Sequence, residues 1–309
     1  MNGTDMNRSP FDMLRRTERL TTYLKAKCMS DTSCSNRKIG ILFQPKASAA
    51  KTLAQQLKEV VGDMGASVWV CSSWDEDKAC EQIEGSRFII CLGGDGTILR
   101  AARIASPRGI PILGINLGRV GFMTELNADD ALTKVPDFVD SVGWVEERVM
   151  LQAELVSRDI PPFHALNDVV VARGERCRLI RIKATIDGEL LTTYKCDGLI
   201  VATATGSTGY SLAAGGPILH PQAEEMLLKP IAAHLSLSTG LVLSSEATVK
   251  LEVSTTHQAT LSIDGQIEVP LSDGDVIKIK RSPYVTKMLR AEWPLPFYST
   301  LMAKLEKRE

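Results

Sequence analysis

A chain of 309 residues is long enough to bury two substantial cores. A formal net charge of −1 and an aromatic content of 5% give no basic field for nucleic acid or an anionic membrane, and no apolar run reaches the ~20 residues of a membrane helix. The seven cysteines (Cys28, Cys34, Cys71, Cys80, Cys91, Cys177 and Cys196) are odd in number and scattered without a CxxC pair, so the expectation is a reducing, cytoplasmic setting with neither disulfides nor a protein metal site.

Residues 1–37 differ in texture from the rest. Over Asp12 to Lys27, Leu14, Leu20 and Leu24 fall among Arg15, Arg16, Arg19, Lys25 and Lys27, a basic amphipathic pattern. Asp5, Asp12 and Glu18 run against a transit peptide, and the segment reads as a leader or surface helix. From Lys38 the chain alternates. Strand candidates at Lys38 to Phe43, Ala66 to Cys71, Phe88 to Leu92 and Ile110 to Ile115 are separated by three helical stretches. In the first, Leu53, Leu57, Val60, Val61 and Met64 follow a cap at Ser48; the second, acidic, runs from Asp75 to Ile83; the third runs from Thr97 to Ala105. This βαβ order predicts a parallel α/β domain over 38–143 with ligand at the carboxyl ends of its strands.

After Trp144 short runs rich in Val, Ile, Leu and Thr take over: Val145 to Val156, His164 to Val171, Leu179 to Ile186, Glu189 to Tyr194, Leu199 to Ala204, Leu241 to Leu243, Thr248 to Ser254, Thr260 to Ile263 and Val276 to Lys280. Turn signals at Asp187-Gly188, Asp264-Gly265 and Asp273-Gly274 punctuate them. They predict a β-rich, sandwich-like domain over 144–289, with ligand in the cleft between the two domains and a C-terminal segment over 290–309.

The most informative stretch is Arg87 to Leu99, RFIICLGGDGTIL. Its apolar run suits a buried strand; Gly93 and Gly94 end it, and Thr97 opens a helical pattern. Strand, glycine turn and helix start leave unpaired N–H groups at one place, which suits phosphate: Gly93, Gly94, Gly96 and Thr97 are the candidates. Asp95 among those donors is either a turn residue or helix cap, or a base that takes a proton from an attacking hydroxyl. There is no Walker-type GxxxxGK[ST] anywhere.

The GGDGT run resembles the signature shared by diacylglycerol kinases, phosphofructokinases and NAD kinases. The segment Gly114 to Glu125, GINLGRVGFMTE, resembles the second NAD kinase motif, Ala165-Leu166-Asn167-Asp168 the third, and Asp197 to Pro217, DGLIVATATGSTGYSLAAGGP, the fourth. The likeness covers about residues 38 to 290 in the family's order. It implies an enzyme that moves the terminal phosphoryl of ATP, or another triphosphate or polyphosphate, to the adenosine-ribose 2′-hydroxyl of NAD+ to make NADP+. Mg2+ or another divalent cation would be held mainly by phosphates, and the subunits would form a homodimer or homotetramer. Asp95 becomes the catalytic base. The NAD-binding set becomes Asp95, Gly96, Arg100, Phe122, Asn167, Asp168, Arg178, Lys195, Asp197, Thr208, Gly209, Tyr210, Ser211, Leu212, Ala213 and Gln266. Asn167 and Asp168 resemble the pair that grips the ribose hydroxyls on the nicotinamide side, and Thr208, Tyr210 and Ser211 resemble the adenosine pocket.

Read without that likeness, several of these residues have plain alternatives. Asn167 and Asp168 interrupt an apolar run, where a polar pair is costly unless its hydrogen bonds are answered. Single arginines such as Arg100 and Arg178 are usually solvated, and Ile263-Asp264-Gly265-Gln266 is a hairpin turn. One departure stands out. Many family members carry a Pro-His block followed by Arg-Pro; here Pro230 and His234 are followed by Thr239, which bears on donor preference and subunit contact. A kinase of lipid or sugar alcohols would share GGDGT but not the Asn167-Asp168 pair or the Thr208 to Ser211 block, and a non-catalytic dinucleotide sensor would have no use for Asp95.

Overall fold

The computed structural model describes residues 37–118, 121–174, 178–234, 237–291 and 297–306; the expected leader helix, Arg119 and Cys177 lie outside them. The first domain runs β1 (Lys38–Phe43), α1 (Ser48–Asp63), β2 (Ser67–Ser72), α2 (Glu76–Gln82), β3 (Phe88–Leu92), α3 (Asp95–Ala105), β4 (Ile112–Asn116), β5 (Leu126–Asn127) and α4 (Ala128–Val139). Its main strands are parallel in the order β2-β1-β3-β4. Every residue of β3 is buried. Ile89 and Cys91 face a core with Ile98, Leu99 and Ala102, while Ile90 and Leu92 face Leu53, Leu57 and Val61 on the other side. Helices on both faces explain why this run is continuously apolar rather than alternating.

The second domain contains β6 (Trp144–Leu155), β7 (Phe163–Ala165), β8 (Asp168–Arg173), β9 (Ile180–Ile186), β10 (Glu189–Cys196), β11 (Gly198–Ala202), α5 (Tyr210–Ala213), β12 (Met226–Ile231), β13 (Leu241–Leu243), β14 (Val249–Ser254), β15 (Ala259–Ile263), β16 (Ile267–Leu271) and β17 (Val276–Arg290), followed by α6 (Phe297–Glu306). A six-stranded antiparallel sheet, β13-β12-β11-β8-β15-β16, packs on a larger sheet whose order β10-β9-β14-β17 continues into β4-β3-β1-β2. Val169, Val171, Leu199 and Val201 from one sheet meet Ile182, Val249, Leu251 and Ile279 from the other. Asp187-Gly188 and Asp264-Gly265 turn with positive φ at both residues (51° and 90°; 53° and 62°), as expected of tight hairpins. No helix among the described residues is long and apolar enough to cross a membrane.

Several elements differ from the sequence expectation. Helix α4 was not expected: Ala131, Val135, Phe138 and Val139 are its buried side, but Pro136 lies inside it and reads as a breaker. Strands β12 and β16 contain Pro230 and Pro270 for the same reason. Pro270 is on an edge strand, and Pro230 lies beyond the three residues of β12 that β13 covers. The strand expected over Val276 to Lys280 continues to Arg290, pairing first with β14 and β6 and then, at Met288, with Ile112 of β4. The single strand expected over His164 to Val171 is two strands in two different sheets, broken at Leu166 and Asn167.

Candidate active site

The break at Leu166-Asn167 is made by a side chain. The Asp264 carboxylate accepts the backbone N–H groups of Leu166 (3.0 Å), Asn167 (2.7 Å) and Asp168 (3.1 Å), and the Asp264 N–H donates to the Asp168 carbonyl (2.9 Å). A carboxylate therefore takes the three N–H groups that a neighbouring strand would otherwise satisfy. The loop after β11 closes on the same turn. Thr203 Oγ1 donates to the Leu166 carbonyl (2.6 Å) and accepts the Gly206 N–H (3.0 Å). A β-carbon on Gly206 would collide with the Asn167 backbone, so only glycine lets the two segments meet. Asn167 Oδ1 and Ser211 Oγ are buried there with no hydrogen-bond partner among the described residues.

These segments line a groove of about 530 Å³, with Asn167, Asp168, Arg173, Tyr210, Asp264 and Glu268 on its walls. Burial and the neighbouring Asp264 charge push the Asp168 carboxyl up to about 7. Burial raises Asp264 too, opposed by its three N–H bonds. Arg173 Nε donates to Asp197 Oδ1 at 2.7 Å, which ties Asp197 to the groove wall.

Asp95 is the first residue of α3, directly after the glycine turn. Its Oδ2 accepts the Phe122 N–H and its Oδ1 the Met123 N–H, both at 3.0 Å. A β-carbon on Gly121 would overlap the carboxylate, so the second sequence block needs glycine there to wrap Asp95. Gln266 joins the two halves of the site: its Nε2 donates to the Gly96 carbonyl (2.9 Å), and Arg103 Nη2 donates to its Oε1 (2.6 Å). One hairpin, Asp264 to Gln266, thus touches both the Asn167-Asp168 turn and the glycine loop. Behind Asp95 lies a buried ion network. Arg290 donates to the carbonyl of Met123 (3.2 Å), to Glu125 (3.1 Å) and to Glu146 (2.8 Å). Arg148 bridges Glu146 (2.9 Å) to Thr205 Oγ1 (3.2 Å).

Two family profiles match the chain, the ATP-NAD kinase N-terminal domain over residues 9–141 and the ATP-NAD kinase C-terminal domain over 166–291. The chain belongs to the NAD kinase family. The NAD kinase of Dehalococcoides mccartyi is 44% identical over 273 residues, 87% of this chain and 96% of that protein; the NAD kinase of Chloroflexus aurantiacus is 36% identical over 272 residues, 87% and 99%. Among solved structures, yeast NADH kinase complexed with NADH superposes with a TM-score of 0.76 at 23% identity, covering 88% of both chains, and shares the fold. An NAD kinase from Archaeoglobus fulgidus in complex with ATP has a TM-score of 0.71 at 27% identity, covering 87% of this chain and 98% of that one.

The structure brings eight of the sequence candidates together. Asp95, Gly96, Phe122, Asn167, Asp168, Gly209, Tyr210 and Gln266 belong to one connected region. Three basic residues lie differently. Arg100 faces Glu76 of α2 at 3.7 Å rather than the glycine turn, Arg178 meets His257 at 2.9 Å on an exposed edge, and Lys195 is exposed on β10. Asp264, Arg173, Arg148 and Arg290 are functional-site neighbours that the sequence pattern does not single out. Only Asp264 carried a signal, as the first residue of the Asp-Gly-Gln turn.

Proposed function

We propose that the protein phosphorylates the adenosine-ribose 2′-hydroxyl of NAD+ with ATP as donor, producing NADP+, and that Asp95 orients that hydroxyl and takes its proton. The observation that carries this reading is the fixing of both Asp95 oxygens by main-chain N–H groups at the start of a helix, beside a glycine turn. A carboxylate so held cannot swing away, and its remaining lone pairs can face an incoming hydroxyl. Of the four main-chain donors expected at the glycine turn, the Gly93 and Thr97 N–H groups are taken by the Ile115 and Gly94 carbonyls, both at 2.9 Å, so Gly94 and Gly96 are the positions that suit the donor's terminal phosphate. Dinucleotide would run from Asp95 into the groove, with Asn167 and Asp168 on its second ribose and the Thr208 to Ser211 segment around adenosine. A divalent cation would be carried mainly on the triphosphate oxygens, whose charge it would neutralise.

Incubating the purified protein with NAD+, ATP and Mg2+ and detecting NADP+ enzymatically tests the reading. Asp95→Asn should keep its affinity for NAD+ and lose about 10²- to 10⁴-fold in kcat. A near-native rate in that variant would remove Asp95 from the chemistry.

A further inference from the structure

The parallel sheet presents more than the glycine turn at its carboxyl edge. Beyond the strand ends, Gln44 N–H donates to the Leu92 carbonyl and Ser73 N–H to the Phe43 carbonyl, both at 2.9 Å, so the loops after β3, β1 and β2 lie side by side. On this ledge Trp74 is 48% exposed, a large indole left in water at a ligand-binding edge. Lys46, from the neighbouring loop, places its ammonium 4.9 Å from the indole centroid. The Trp74 N–H donates to Ser72 Oγ (3.2 Å), which fixes the turn that carries the ring. Next to it, Ser73 Oγ is buried with no hydrogen-bond partner among the described residues. Just beyond the turn, Glu76 opens α2 and pairs with Arg100 of α3 at 3.7 Å.

We infer that Trp74 and Lys46 form the base-binding end of the phosphoryl-donor site, taking the base and sugar of a nucleoside triphosphate whose terminal phosphate lies on the glycine turn. This rests on the kinase reading above and adds where the donor's far end is held. Strands in a sheet are about 4.8 Å apart, so β2, two positions from β3, sets Trp74 roughly 10 Å from the glycine turn. A nucleoside triphosphate has three phosphates and a sugar between its reacting phosphorus and its base, enough to bridge two strand spacings. At the far end it meets the Lys46 cation and an aromatic face. Indole stacks on any base through its π-surface, while Lys46 can hold an inner phosphate or keep its cation over the ring.

NAD+ also carries an adenine, so the test separates the two. Trp74→Ala should raise KM for ATP and Kd for ADP by about tenfold, the usual loss for one stacked base, and leave KM for NAD+ and kcat at saturation within about twofold. Trp74→Phe should recover most of the loss. Unchanged ATP and ADP constants in Trp74→Ala overturn the inference, as does an equal rise for NAD+ and ATP. So does a change confined to the oligomeric state in sedimentation, which would make Trp74 a contact between copies. If the wild-type protein binds ADP in a Trp74-dependent way but makes no NADP+, the base site stands and the kinase reading falls.

Discussion

Asp168 carries the clearest titratable signature in the groove. Its carboxyl is pushed up to about 7 from 3.8, first by burial and then by the Asp264 charge. Between those two values the folded protein holds a proton that the unfolded chain has released, so this group's contribution to stability is greatest at acid pH and falls as pH rises from about 4 to 7. Binding follows the opposite direction. A carboxylate accepts a ribose hydroxyl more strongly than a neutral acid does, by about 1.4 kcal/mol. KM for NAD+ should therefore rise about fivefold as pH falls from 8 to 6, with ATP saturating. Asp168→Asn should show a weak, flat profile over the same interval. A flat wild-type profile would place the proton elsewhere.

At the scale of elements, the Asp264 hairpin decides where one strand ends and the next begins. Asp264→Ala would leave the N–H groups of Leu166, Asn167 and Asp168 buried without an acceptor. Each such group costs about 1–3 kcal/mol, softened by relaxation, so a total loss of about 3 kcal/mol is expected in urea unfolding. The same variant should raise KM for NAD+ more than Asp264→Asn, which retains one acceptor oxygen. This turn also marks the limit of what the sequence reveals. The apolar periods of β1 to β4 and the Asp-Gly turns are local signals, and they read correctly. The split of His164 to Val171 is not local: Leu166 and Asn167 are fixed by a residue almost 100 positions away, and nothing within the run announces it. Prolines that sheet edges and a helix tolerate hid α4, β12 and β16. The four blocks that carry the family resemblance pointed to this region, and two of them hold Gly121 and Gly206, glycines that the close approach of backbone and carboxylate demands. Arg148, Arg173 and Arg290 stayed invisible, since an arginine's burial depends on the whole fold.

Across the whole molecule, β17 is the only described strand that joins the second domain's sheet to the parallel strands of the first, and Arg290 is its last residue. From there one guanidinium reaches Glu146, Glu125 and the Met123 carbonyl, and Met123 in turn donates its N–H to Asp95. The end of the chain's longest strand is thus two hydrogen bonds from the proposed base. Arg290→Ala would take from buried Glu146 one of its two guanidinium partners and leave Glu125 with only the Ala291 N–H, at a cost of about 3–5 kcal/mol, and is expected to expose the protein to unfolding before kinetics can be read. Arg290→Lys is the informative change, because an ammonium keeps the charge but lacks the planar fork that serves three acceptors at once. It should lose about 1–3 kcal/mol in urea unfolding, which is the scale of one broken hydrogen bond in a buried network. It should also lower kcat roughly tenfold, as an off-geometry base would, while KM for NAD+ stays within about twofold because the groove walls are built by other strands. Wild-type kcat in a measurably destabilised Arg290→Lys protein would mean that the Asp95 cradle holds its geometry without the strand that crosses between the domains.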